Sequence, residues 1–396
     1  MPRLGLFIDG AFRVEQSDND SRLFCGSELA GFMRFACAVG GRFDRFRLIA
    51  RRTSESSTTP YALPGDIELG ALPHYPSLRH IGRVALAVPR TIRPMWRALN
   101  DLDIVWVSGV HPLGLVLVAL AKLRRRRVVL LIRQNSPQYF RSRLPNAKWR
   151  PLLLPLDALD LAFRALALKL PTTVVGRELA RRYRAPRPNV LEMHVVLLER
   201  SQLAREPRSA DWSDEVVLLT VGRIEPEKNP LLLVDALAAL QRRGEGDYRL
   251  IWAGEGRLAD AVLDAAASAG VADRVELRGY VPFGSALIEL YRGAHAFVHV
   301  ALTEGEPQVI HEAMGCGLPI VATDVGGVRN VLRGGDAGLL VPPSDARALI
   351  DAVEGLRADP VLRERLAARA LELAGAATID EEASRVVDFM LGRYDV

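Results

Sequence analysis

Two glutamates and two cations are the residues through which this sequence can do chemistry. The stretch LTEGEPQVIHEAMGCGLPIVATDVGG, residues 302–327, sets Glu304 and Glu312 eight positions apart. Pro307 suits the first position of a helix, where its missing N–H costs nothing, and Gly315, Gly317 and Pro319 mark the helix end. Glu304 then belongs to the loop entering a helix and Glu312 to the second turn, about 8 Å further along an axis that rises about 1.5 Å per residue. A carboxylate accepts hydrogen bonds from two neighbouring hydroxyls. The free N–H groups of Gln308 and Val309, at the positive end of the helix dipole, can meet phosphate oxygens between the two acids. That separation resembles the reach from a sugar ring across a diphosphate to a ribose. Helix capping explains Glu304 equally well taken alone. A solvated position suits Glu312 less, since Val309, Ile310, Ala313 and Met314 around it are apolar and no lysine follows four residues on. A glutamate at a buried edge needs a partner.

The cations stand in LLTVGRIEPEKNP, residues 218–230, where an apolar run turns through Gly222 into a loop holding Arg223 and Lys228. A planar guanidinium fork beside a compact ammonium suits a diphosphate. Surface pairing with Glu225 and Glu227 would account for the same residues.

Those side chains need a scaffold, and the chain supplies one. Strand-like apolar runs alternate with helical periods throughout, the pattern of parallel sheets built from strand–helix–strand units, so the fold class is α/β. In the first half, strands are expected at RLGLFIDG, FRLIARR, DIELGAL, DIVWVSG, RVVLLIR and TTVVG, with helices such as 28–39 and 114–123 between them. In the second half they are expected at VVLLTVG, RLIWAGEG, RVELRGYV, AFVHVA, PIVATD and GLLVPP. Residues 198–215 are polar, charged and aperiodic, and read as a linker. Each half is then a doubly wound sheet, which binds ligands beyond the carboxyl ends of its strands. Two such sheets imply an interdomain cleft. The domains expected are 1–200, 201–375 and a terminal helix in 376–396 that packs towards the first domain.

A length of 396 residues agrees with two domains, because single cores stop growing well below that size. The composition, 49% hydrophobic and 25% charged, is that of a globular protein without low-complexity tracts. Cys25, Cys37 and Cys316 are odd in number and unrelated in spacing, which fits reduced thiols and neither a disulfide framework nor a zinc site. The opening MPRLGLFIDGAF has no signal-peptide pattern, and no apolar run reaches about 20 residues, so the expected location is cytoplasmic. Charge is divided. Residues 1–200 hold 32 Lys plus Arg against 16 Asp plus Glu, and the remainder holds 20 against 31. Basic clusters at 122–129, 141–150 and 177–187 suit an anionic membrane face or a phosphate-bearing acceptor, although solvated arginine-rich helices account for them as well. They lack interleaved aromatics and any nucleic-acid module, which argues against nucleic acid as a partner.

Residues 218–327 resemble the donor-binding half of the retaining glycosyltransferases with two facing Rossmann-like domains, the GT-B fold, specifically the large bacterial group called family 4. The matching pieces, in order, are VGRIEPEKNP, WAGEGRL, LRGYVPFGSALIELYRGAHAFVHVA, EGEPQVIHEAMGCGLPIVATDVGG and, further on, GLLVPPSDARAL. The resemblance implies that Arg223 and Lys228 hold the donor diphosphate, Glu304 the hydroxyls of the transferred sugar and Glu312 those of the ribose. It places the phosphate-facing amides in the segment Glu306 to Val309, where Pro307 itself has no N–H to give, with Gly305 in the same loop, Gly222 and Gly254 around the donor and the segment Gly279, Tyr280, Val281 near its base. The first half matches in outline only. Where the family carries a histidine at the end of VVLLIRQN, this chain has Arg133, which cannot act as a base and suits a phosphate or an acidic acceptor. His111 in SGVHPLG is the substitute candidate, though a lone loop histidine is as readily incidental. The loop after the first strand, IDGAFRVEQSDNDSRLF, takes the acceptor-facing place without the usual paired glycines, and Gly10 there can approach phosphate closely. Glu306 stands where an aromatic residue is more frequent.

The implied reaction moves a hexose from a nucleotide diphosphate sugar, UDP- or GDP-linked, to an acceptor hydroxyl with retention of configuration. No metal or other cofactor is needed; DND at 18–20 and DLD at 101–103 read as turns. Small molecules, lipid-linked oligosaccharides and polysaccharides all fit as acceptors, with the enzyme peripheral on the inner membrane face. The alternatives are a non-catalytic nucleotide-sugar-binding subunit, a nucleotide-sugar epimerase or hydrolase, and a DNA-modifying transferase that uses the basic half.

Overall fold

The chain divides into two units, one formed by Met1–Val195 with Asp380–Val396 and the other by Val196–Ile379. The computed structural model describes residues 1–17, 20–56, 61–65, 67–74, 81–141, 153–184, 189–244 and 246–392. Asp18 and Asn19, and nearly all of the basic cluster at 141–150, lie outside the described residues.

The first unit holds β1 (Arg3–Ser17), β2 (Asp20–Cys25), β3 (Arg45–Arg52), β4 (Tyr61–Ala62), β5 (Glu68–Leu72), β6 (Ile104–Gly109), β7 (Arg127–Ile132), β8 (Thr172–Val175) and β9 (Val190–Met193). Its parallel strands run in the order β5-β3-β1-β6-β7-β8-β9. Both β6 and β7 carry five consecutive buried residues, as strands covered on both faces must. Helices α1 (Ser27–Gly40), α2 (Ile81–Ala98) and α3 (Pro112–Leu123) fall between strands.

One expectation fails here. The segment after the first strand is no loop: β1 continues to Ser17 and pairs antiparallel with β2, with Arg13 opposite Phe24 and Val14 opposite Leu23. Phe12, Leu23 and Cys25 are buried, so an apolar alternation holds the hairpin together although Arg13 and Glu15 disguise it in the sequence. Gly10 is therefore a strand residue. A Cβ there would stand 2.5 Å from Leu29 Cδ1, so packing against α1 accounts for the glycine. The short strands β2, β4 and β9 were not anticipated, because none has a long apolar run.

The terminal helix Ile379–Leu391 belongs to the first unit. Glu382 accepts from the backbone N–H of His194 at 3.1 Å, Arg385 donates to the Glu192 carbonyl at 2.6 Å, and Asp380 pairs with Arg42 at 3.2 Å.

The second unit is a six-stranded, wholly parallel sheet in the order β12-β11-β10-β13-β14-β15. Its strands are β10 (Glu215–Val221), β11 (Asp247–Ala253), β12 (Val275–Leu277), β13 (Ala296–His299), β14 (Ile320–Thr323) and β15 (Leu339–Val341). Successive side chains alternate between two cores. Ala296 and Val298 pack into one, with Val216 and Leu218, whereas Phe297 packs into the other, with Leu219, Ile310 and Met314. Residues 198–215 are no free-standing linker. Ala204 N–H donates to the Gly315 carbonyl at 2.8 Å, Arg208 N–H to Gly317 at 2.7 Å, and Trp212 is buried in the second unit's core. A single tryptophan among so many charges gave no periodicity to read.

Candidate functional site

In the second unit the chain runs outward from β10 to β12, then crosses to β13, so the carboxyl ends of β10 and β13 flank a topological switch point. Open α/β sheets take their ligands there. The loop leaving β10 brings Lys228, and the loop leaving β13 brings Glu304, and these two side chains form an ion pair. His299 closes the group: its Nε2 lies 3.0 Å from Glu304 Oε1, and the residue is 2% exposed. Burial alone would raise the Glu304 pKa, but the Lys228 charge and the contacts from His299 and Lys228 outweigh it and hold the carboxyl at about 2. Glu304 is thus a fixed negative charge over the physiological range. The Leu302 N–H donates to the Glu227 carbonyl at 2.8 Å and ties the two loops together.

Glycines allow the loops to approach. Gly254 has φ +156 and donates its N–H to the Gly279 carbonyl at 2.7 Å; its missing Cβ would collide with the Gly222 carbonyl. Tyr280 N–H donates to Glu255 Oε1 at 3.2 Å, while Val281 packs half-buried against the nearer core. Behind Glu304, Gly326 has φ +51, and a Cβ on it would collide with the Glu304 carbonyl oxygen. Gly327 N–H donates to the Gly305 carbonyl at 2.8 Å. The VGG turn is therefore the backing of the Glu304 loop, a role the sequence reading missed. Gly326→Ala is expected to destabilise the protein by on the order of 1–3 kcal/mol, combining backbone strain with the collision. A lowered urea midpoint is the readout, and an unchanged one would show that the turn carries no such constraint.

Glu312 lies within the helix Gln308–Gly315, is 5% exposed and has the partner its position demands: Tyr291 Oη donates to its Oε2 at 2.8 Å. Tyr291, on the helix Ser285–Gly293, was not singled out from sequence. Burial pushes the Glu312 carboxyl up to about 7, against the hydrogen bond from Tyr291. The phenol is raised well above its ordinary range, first by burial and then by the Glu312 charge. Rings join the two glutamates. His299 stacks on Phe297 with centroids 6.3 Å apart, and Phe297 meets Tyr291 at 5.6 Å, so the partners of Glu304 and Glu312 are ring neighbours of one phenylalanine.

The raised Glu312 value has a thermodynamic consequence. Its folded pKa exceeds the ordinary 4.5, so the native chain binds more protons than the unfolded chain between those values, and stability falls as pH rises through that window. Glu312→Gln should abolish this loss. Urea midpoints of parent and variant, followed from about pH 5 to about pH 8, are expected to diverge in the variant's favour as pH rises; parallel curves would place the carboxyl at its ordinary value.

Pro307 is the N-cap of the helix Gln308–Gly315, with φ −77 and ψ 110, and not its first helical residue. No side chain caps this helix start. The first amides of a helix lack intrahelical acceptors, so those of Gln308 and Val309 retain anion-binding capacity. Glu306 Oε1 lies 3.3 Å from Nε2 of His311, one turn on. Arg223 is the loosest of the expected site residues: its side chain is 56% exposed and pairs with Glu227 at 2.7 Å. Gly222 has φ +145 and open space where a Cβ would stand.

The remaining candidates lie in the first unit. His111 caps α3, its Nδ1 accepting from the Leu113 N–H at 3.2 Å, and its Nε2 lies 3.3 Å from Asp9 Oδ2. Burial lowers its pKa, with Asp9 opposing and Arg51 assisting. Asp9 also pairs with Arg51 at 3.0 Å, so β1, β3 and the start of α3 join through one carboxylate at this unit's own switch point, between β1 and β6. His111 thus has a structural duty as a cap, and Asp9 and Arg51 are site neighbours that sequence reasoning missed. Arg133 sits with Cζ 4.1 Å over the Phe32 ring of α1; burial lowers its pKa to about 10, which keeps it cationic at neutral pH. Of the two acidic repeats, DLD is structural: Asp101 has φ +58 in a turn, and Asp103 pairs with Arg3 at 3.2 Å.

The family model described as Glycosyl transferases group 1 matches residues 204–372. Among curated proteins, the chain is 34% identical over 174 residues to the Alpha-D-kanosaminyltransferase of Streptomyces kanamyceticus, covering 41% of this chain and 42% of that protein. It is 37% identical over 191 residues to the D-inositol 3-phosphate glycosyltransferase of Actinosynnema mirum, covering 46% and 44%. The chain spans under half the length of these relatives. Anabaena HepE, solved in complex with UDP, superposes with a TM-score of 0.68 at 16% identity, over 99% of this chain and 100% of that one. WaaG, a glycosyltransferase involved in lipopolysaccharide biosynthesis, gives a TM-score of 0.65 at 16% identity, over 98% and 100%. The fold is accordingly the two-domain α/β GT-B type. Among the described residues no helix is long and apolar enough to cross a membrane.

Proposed function

We propose that the chain, whose second unit is a glycosyl transferases group 1 domain, moves a hexose from a nucleotide diphosphate sugar to an acceptor hydroxyl with retention of anomeric configuration. The observation that carries this reading is the carboxylate of Glu304, kept ionised between Lys228 and His299 at the switch point and one short loop ahead of an uncapped helix start. A sugar hydroxyl needs such an acceptor, and a diphosphate needs the cation and the amides beside it. One solved protein of the same fold, Anabaena HepE, is seen with UDP and with UDP-glucose, which supports a nucleotide-sugar donor.

In the proposed reaction the bond from the anomeric carbon to the diphosphate oxygen breaks, and the diphosphate leaves with the electron pair. The acceptor oxygen forms the new bond on the same face of the ring, and its proton passes to the departing phosphate oxygen. Lys228, Arg223 and the amides of Gln308 and Val309 offset the charge that builds on the leaving group. Arg223 must exchange Glu227 for phosphate, which costs little because exposed ion pairs are weak. Glu304 takes the transferred sugar and Glu312 the ribose. No step requires a metal. The acceptor, whether a small molecule, a lipid-linked oligosaccharide or a polysaccharide, falls to the first unit, whose basic character favours a phosphate-bearing acceptor and work at an anionic surface in the cytoplasm.

The test is a calorimetric screen of UDP, GDP, UDP-glucose and GDP-mannose, followed by mass analysis of products from a pooled acceptor set with chelator present. Binding of one nucleotide diphosphate and a glycosylated product are expected. Binding without product would favour the non-catalytic subunit, free sugar without acceptor would favour a hydrolase, and no binding would overturn the assignment.

A further inference from the structure

The first unit carries an exposed apolar patch set among cations, at the end of its sheet remote from the switch point. Ile92 and Trp96 project from the last turns of α2 with 42% and 39% exposure, and Leu123 projects from the last residue of α3 with 73% exposure. Three such residues in one place are a liability in water unless something covers them. The two helix ends are joined: Arg124, immediately after α3, lies with Cζ 3.9 Å above the Trp96 ring and donates to the Asn100 side chain.

The charged residues of the two helices that carry this patch are all cations. Neither helix contains an aspartate or a glutamate. Arg90, Arg93 and Arg97 are exposed on α2, and Lys122 and Arg125 are exposed at the end of α3. The acids nearest in sequence are Asp101, which is exposed, and Asp103, which is engaged by Arg3. Arginines beside an interfacial tryptophan, with aliphatic side chains pointing outward, match the layers of an anionic bilayer: headgroup phosphates, the aromatic level and the acyl boundary.

We infer that the C-terminal ends of α2 and α3 form a docking surface for an anionic lipid bilayer, with Trp96, Ile92 and Leu123 entering the interface and the surrounding arginines bound to headgroups. This deepens the reading of a chain that works at an anionic surface, and it rests on that reading without depending on the transfer reaction. A second copy of the chain is the poorer occupant, because two such faces would bring like charges together. Nucleic acid is poorer too: Arg124 covers the Trp96 face that a base would stack on, and Leu123 and Ile92 have no counterpart on a phosphate backbone.

The experiment is co-sedimentation of the full chain with vesicles of phosphatidylcholine alone and of phosphatidylcholine with about one-third phosphatidylglycerol, at low and high salt, without nucleotide or acceptor. Binding is expected on the anionic vesicles only, weakening as salt rises. Arg93→Glu with Arg97→Glu should weaken it by about tenfold or more. Leu123→Ser with Trp96→Ser should weaken it even at low salt. Unchanged melting temperature and UDP binding would show that each variant is folded, so that loss of vesicle binding stays separate from failure of the donor site. Equal binding to neutral vesicles, no binding to either, or variants that bind like the parent would overturn the inference. Salt-sensitive retention of a DNA duplex in place of vesicles would also overturn it, as would self-association abolished by the same substitutions.

Discussion

Replacing Glu304 with alanine is expected to lower turnover by about 10²–10³-fold while leaving the affinity for the nucleoside diphosphate within a few-fold of the parent. Lys228 and His299 hold the carboxyl at about 2, so it is ionised over the physiological range, and on the proposed reading the substitution removes a charged acceptor for sugar hydroxyls and a fixed point for the ring. The diphosphate contacts are left in place. Lys228 loses its partner and becomes freer to meet phosphate, so the nucleoside diphosphate should bind as well as before or slightly better. Single-turnover rates and calorimetry together check this. Equal losses in affinity and rate would move Glu304 to the nucleotide, and no loss in either would remove it from the site.

Replacing Glu312 is expected to do the opposite. Burial holds the Glu312 carboxyl at about 7, so at about pH 8 it is ionised; as a charged acceptor shared by two ribose hydroxyls it would contribute about 1.5–3 kcal/mol per hydrogen bond, and Glu312→Ala should weaken UDP or GDP binding there by on the order of 100-fold. Glu312→Gln keeps an acceptor for Tyr291 and for one hydroxyl, and should lose about tenfold. A deoxyribose nucleotide supplies the control, since it should bind parent and variant with a smaller difference. If the variants lose turnover with nucleotide affinity intact, Glu312 acts elsewhere.

The sheets and the loops that carry Lys228 and Glu304 were legible because their signals are local. Apolar runs such as VVLLTVG and AFVHVA mark strands, and EGEP followed by QVIHEAMG marks a loop feeding a helix. What escaped needs partners distant in the chain. His299 reads as one more residue of a buried strand until the Glu304 loop folds back over it, and Tyr291 reads as a helix-core aromatic until Glu312 arrives from the following helix. The β1–β2 hairpin escaped for a different reason. Glu15 is exposed and Arg13 lies over the Phe24 ring of β2, and charged side chains at that density resemble a loop when the partner strand is not known. Arg223 shows the limit from the other side, because its chemistry was readable while its resting partner, Glu227, follows from the turn geometry between them. Pro307 was one position out, for helix ends are set by the amide that first finds an acceptor, and a proline serves at the cap as well as just inside.

On the proposed function, the ion pair between Lys228 and Glu304 bears on release of the product. A spent nucleoside diphosphate would carry no sugar to occupy Glu304, so the carboxylate would return to the nearest cation, Lys228, which on that reading holds the phosphates. The chain then contains its own competitor for Lys228, tethered at short range and needing no diffusion. Such a competitor would act less on the intact donor, which offers hydroxyls to Glu304, than on the product, which does not, and by no more than the few-fold gain in product affinity expected of Glu304→Ala. Clearance of the leaving group would in this way be assisted by the carboxylate proposed to position the sugar, and the site would reset by restoring an internal contact.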